Sequence, residues 1–84
     1  MSKPVEFADQ QRKILKQLVT TKMPFGKYEG QLICDLPEYY LTWFQSKGYP
    51  AGTIGVLLAT MYEIKLNGLE RLIEGIKREV YDKK

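Results

Sequence analysis

The sequence contains no histidine and a single cysteine, Cys34. Without histidine the commonest general base is missing, and neither a Ser-His nor a Cys-His nucleophile pair can be assembled within the chain. One cysteine cannot close an intrachain disulfide, and with no Cys or His cluster no zinc or other metal site is readable. Long apolar runs are also missing. The stretch Ile54 to Met61 is broken by Gly55 and Thr60 and falls well short of the roughly 20 residues that cross a bilayer. The opening Met1-Ser2-Lys3-Pro4-Val5-Glu6 lacks the basic segment and apolar segment of a secretory signal. These absences predict a cytoplasmic chain with no membrane span, no catalytic residues, no metal and no cofactor. Its carboxylates, from Glu29 to Asp82, are scattered among Lys and Arg as on solvated helix faces.

What is present is enough for one small fold. The 84 residues are 44% apolar and 27% charged, a globular composition, and a chain of this length encloses a single core. Residues 1–84 are therefore expected to form one domain, with disorder at the charged ends, Met1 to Pro4 and Tyr81 to Lys84. The net charge is +3. Lys3, Arg12, Lys13, Lys16, Lys22 and Lys27 lie in the first third, against only Glu6, Asp9 and Glu29. That segment carries the positive field and suits an anionic partner.

Periodicity predicts a mainly α (α+β) fold, about four helices around a small β-hairpin. Phe7, Ile14, Leu15 and Leu18 make the stripe of a first helix over Phe7 to Val19. Asp35, Pro37 and Glu38 have the ingredients of a capping box opening a second, aromatic helix that Gly48 ends. Ile54, Leu57, Leu58, Met61 and Ile64 mark a third helix from about Gly52 to Leu66. Leu69, Leu72, Ile73, Ile76 and Val80 mark a fourth, with Asn67 as its expected cap. Trp43 and Tyr40 are assigned to the core, so that Trp43→Ala is expected to cost roughly 3–5 kcal/mol. Cys34 reads as a small buried hydrophobe. Between the first two helices, Pro24, Gly26 and Gly30 exclude a helix and predict the hairpin.

The hairpin segment Phe25-Gly26-Lys27-Tyr28-Glu29-Gly30, together with Leu36-Pro37, Tyr40-Leu41 and Trp43 downstream, resembles a small bacterial family labelled quorum-sensing-regulated virulence factors. The likeness continues through Leu57-Leu58 and Glu63-x-Lys65-Leu66-Asn67-Gly68-Leu69-Glu70. Over Met23 to Pro50 the motif is also similar to the C-terminal module of exodeoxyribonuclease X-like nucleases. The first resemblance implies an association with expression and no chemistry. The second implies an accessory fold outside a catalytic domain, whose acidic metal motifs have no room here.

Two readings of the segment stand side by side. In the functional one, Gly26 and Gly30 expose backbone N–H groups, Lys27 supplies a cation and Tyr28 a stacking face, with both side chains exposed. Lys22, Arg12, Lys13 and Lys16 would add phosphate contacts, and the ligand would be single-stranded DNA. In the structural one, Phe25 and Leu32 anchor a tight hairpin whose glycines only satisfy positive φ angles. A protein partner or a second copy of the chain, docking on exposed aromatics or the fourth helix, is the alternative from another class.

Overall fold

The computed structural model describes residues 4–82, with side chains from residue 10 onwards. Among these residues four α-helices are formed: α1 (Pro4–Thr20), α2 (Glu38–Lys47), α3 (Thr53–Leu66) and α4 (Glu70–Tyr81), with a 3₁₀ turn at Ile33–Asp35 between α1 and α2. Pro4 opens α1 and Tyr81 closes α4. The disorder expected of Met1 to Lys3, Lys83 and Lys84 lies outside the described residues, as does the side chain of Phe7.

α1, α3 and α4 each bury part of the stripe expected of them, while Leu69 and Leu72 of the fourth stripe stay exposed. α1 turns Leu18 and Val19 fully inward, with Ile14 and Leu15 half-buried beside them. α3 supplies Leu57, Leu58 and Met61, and α4 adds Ile73 and Ile76. α2 packs on α3 and α1 packs on α4, while the 3₁₀ turn is wedged against α1 and α3. Ile33 within this turn and Leu36 just after it are completely buried. The Tyr81 hydroxyl donates to the Val19 carbonyl and ties the end of α4 back to α1. None of the described helices is long and apolar enough to cross a membrane.

The expected β-hairpin is not formed. Lys22 and Leu32 make one isolated antiparallel bridge, and the segment between them is a turn-rich loop. Pro24 has no N–H to extend a ladder. Beyond it the chain closes two overlapping turns, Glu29 N–H to Gly26 O (3.1 Å) and Gln31 N–H to Tyr28 O (3.1 Å), so the pairing stops at Met23, whose N–H donates to Gln31 O (2.7 Å) and whose carbonyl accepts from Gly30 N–H (2.8 Å). The anchor of this loop is Met23, 1% exposed, rather than Phe25, which is 41% exposed.

Two helix starts also differ from expectation. Leu36 (φ −69°, ψ 140°) and Pro37 (φ −67°, ψ 152°) are both extended, so α2 opens at Glu38 with no side-chain cap. The proline biases the residue before it away from helix. Burial of Leu36 then holds the chain there, and Asp35 is left to pair with Lys77 of α4 at 3.3 Å. Asn67 ends α3 instead of starting α4, because its side-chain amide donates to the Glu63 carbonyl at 2.8 Å.

Candidate functional site: an aromatic cleft

α2 carries Tyr39, Tyr40, Trp43 and Phe44, two pairs at i, i+4 spacing that lie on adjacent rows of the helix. The Tyr40–Phe44 row faces inward, with Phe44 buried and Tyr40 half-buried. The Tyr39–Trp43 row stays outside, with Tyr39 61% and Trp43 51% exposed. Trp43 is thus not a core residue. Leu41 and Phe44 are the α2 side chains that are buried, and the neighbouring row is left to solvent. The rings contact edge to face: Tyr28 to Tyr40 at 4.7 Å between centroids, Tyr40 to Phe44 at 5.1 Å and Trp43 to Phe44 at 5.0 Å. Edge-to-face packing of this kind stabilises by about 0.5–1.5 kcal/mol per pair and fixes the ring planes.

The loop after α1 lies across the end of this row and makes a cleft of about 510 Å³, with Phe25, Gly26 and Lys27 on one side and Tyr39, Tyr40, Trp43 and Phe44 on the other. Gly26 is favoured by its φ of +80°, and a Cβ there would stand 2.8 Å from the Tyr40 hydroxyl oxygen, a contact that a small movement of the tyrosine's end relieves. Gly30 (φ +92°) has open space around it and answers only to the backbone conformation. Lys27 is exposed, and its Nζ sits 5.6 Å from the Tyr28 ring centre and 5.8 Å from that of Tyr39. Tyr28 itself is half-buried, because it leans on Tyr40. It is therefore not the free stacking face that the sequence suggested.

The other basic residues stand elsewhere. Arg12 is engaged by Glu79 at 2.6 Å. Lys13 lines a groove with Gln10, Gln17, Thr53 and Val56, where α1 meets the start of α3. Lys16 shares a neighbouring groove with Arg12 and Thr20. Lys22 is exposed at the loop's closing bridge. None of these four lines the aromatic cleft, so Lys27 is the cation the structure places there. Sequence reasoning missed Phe25, Tyr39 and Trp43 as cleft residues; the available signal was the pair of aromatic i, i+4 rows offset by one residue.

Cys34 is buried as expected, 8% exposed. Burial first, then the neighbouring Asp35 carboxylate, push its thiol above the ordinary range. The folded thiol holds its proton more firmly than the unfolded one, so this contribution to stability is intact below the unfolded pKa and fades as pH rises through the folded one. We expect iodoacetamide to leave Cys34 unmodified at neutral pH and to label it once denaturant is added; rapid labelling of the folded protein would contradict the burial.

A family model described as "Putative quorum-sensing-regulated virulence factor" matches residues 11–76, a span that holds the whole cleft. Among curated proteins, the chain is similar to "Uncharacterized protein YpeB" of Escherichia coli strain K12 and to its counterpart in Escherichia coli O157:H7. Each is 46% identical over 65 residues, covering 76% of this chain and 90% of the relative. No solved structure matches the chain significantly.

Proposed function

This chain belongs to the family described as putative quorum-sensing-regulated virulence factors, and we propose that it is a cytoplasmic, non-catalytic accessory domain that binds single-stranded nucleic acid by stacking unpaired bases in the aromatic cleft. The family description names a circumstance of expression and no ligand, so the ligand is inferred from the cleft. The observation that carries the reading is the conjunction of exposed Trp43, Tyr39 and Phe25 rings with the exposed Lys27 ammonium. Aromatic faces accept any unpaired base, and a cation beside them meets the strand's phosphates.

Trp43 is the sole tryptophan, so its fluorescence reports on the cleft alone. Titration with a thymidine oligonucleotide should quench it, and the same duplex sequence should do so far less. Affinity should fall with added salt, and Lys27→Ala should lower the slope of log K against log salt by about 0.7, the share of one phosphate on a single strand. Absence of quenching at low salt, or an unchanged slope in Lys27→Ala, would overturn the proposal.

A second reading, a protein-contact surface, is favoured by a different observation: Leu66, Leu69 and Leu72 stand 59%, 49% and 44% exposed where α3 gives way to α4. Concentration-dependent sedimentation that Leu69→Lys abolishes would support self-association through this end.

A further inference from the structure

The rim of the cleft carries a feature that deepens the single-strand reading and rests on it. Tyr28 comes from the loop and Tyr39 from α2, yet their hydroxyls meet in a hydrogen bond. Each phenol has one proton and two acceptor positions, and their mutual contact consumes one proton. One O–H of the pair is therefore left to donate outward. Beside it stands Lys27 Nζ, within 6 Å of both ring centres and, among the described residues, in neither of the two ion pairs, which engage Arg12 and Lys77. The edge-to-face contact of Tyr28 with Tyr40 holds one ring in place, and the helix backbone holds the other. An ammonium and a phenolic O–H side by side form a donor pair for an oxyanion, and hydrogen bonds to an ionised acceptor are the stronger kind.

We propose that Lys27 and the Tyr28–Tyr39 hydroxyl pair seat one phosphate group of the strand whose base lies in the aromatic cleft. Recognition then has two parts of different chemistry. The rings read a planar base and the rim reads the charged linkage next to it. A flat apolar molecule would satisfy the first part alone, and a free phosphate the second alone. The ligand class that fits both is the nucleotide unit of a strand.

The test removes both hydroxyls while keeping both rings, in Tyr28→Phe/Tyr39→Phe. Taking away donor and acceptor together leaves no orphaned polar group, so the fold should survive, as a thermal melt will verify. Wild type and this variant are titrated with a thymidine oligonucleotide and with the same oligonucleotide carrying uncharged methylphosphonate linkages. Wild type should prefer the charged strand. The variant should bind the charged strand about 3- to 10-fold more weakly, the loss expected of one hydrogen bond, while its affinity for the uncharged strand, whose remaining P=O accepts only a weaker neutral bond, falls less. Trp43 quenching at saturation should persist, because the base still stacks. Equal losses for both strands, or no loss for either, would overturn the phosphate seat and leave the stacking cleft standing. Failure of wild type to bind either strand would bring down the stacking reading as well.

Discussion

Gly55→Ala should unfold the domain or leave it only marginally folded. Gly55 is buried within α3, and a Cβ built on it would lie 1.9 Å from the carbonyl oxygen of Pro50 and 3.1 Å from that carbonyl's carbon. The obstacle is backbone, so no rotamer change relieves it. Either α3 or the Tyr49-Pro50 segment must move. α3 cannot retreat cheaply, since Leu57, Leu58 and Met61 just beyond are at most 1% exposed. The loop is held by Tyr49, which stacks on Phe44 with centroids 6.4 Å apart. Ordinary overpacking costs about 1–3 kcal/mol, and a backbone-on-backbone overlap belongs at or above the top of that range. Against a total of roughly 5–15 kcal/mol, with a chain this short near the lower end, such a loss is decisive. Gly75→Ala is the control. Gly75 lies in α4 with nothing within 4 Å of its would-be Cβ, so alanine there should stabilise by about 0.5–1 kcal/mol and raise the melting temperature by a few degrees. Circular-dichroism melts of both variants suffice. A Gly55→Ala protein that melts with wild type would show that the Tyr49-Pro50 loop does not lie against α3.

The same position shows what the sequence could and could not disclose. The α3 stripe of Ile54, Leu57, Leu58, Met61 and Ile64 is legible because a 3.6-residue period survives whatever it packs on, and α1 and α4 are legible for the same reason. Gly55, by contrast, reads as a weakness in a helix until Pro50 is known to lie against it. Asp35 and Asn67 are good caps by local chemistry, but each finds another partner. Lys77 reaches Asp35 from 42 residues away, and Asn67 turns back to Glu63. The Lys22 to Leu32 segment has the glycines of a hairpin, yet whether it pairs as strands depends on Met23 being drawn into the core. The cleft was half legible. Gly26 and Lys27 follow from the motif, while the choice of which α2 row faces outward is made by α3.

Trp43→Ala should separate binding from stability. A buried indole would cost roughly 3–5 kcal/mol to truncate. Here the ring is 51% exposed and its aromatic partner is Phe44, in an edge-to-face pair at 5.0 Å. The expected loss of stability is about 1 kcal/mol, one such pair with part of its apolar area, and the domain should stay folded. The loss of binding should be larger. A base that stacks on an aromatic side chain loses about 1–3 kcal/mol when the ring is removed, or roughly 5- to 150-fold in affinity. Since the variant has no tryptophan, a fluorescently labelled oligonucleotide replaces intrinsic quenching as the readout. The salt slope should match wild type, because Lys27 and its phosphate contact are untouched, and this opposes the Lys27→Ala result in which the slope changes. Trp43→Phe, which keeps a smaller face, should recover part of the affinity. If Trp43→Ala binds like wild type, the base does not occupy the cleft; if it unfolds, the ring carries more of the fold than its exposure allows.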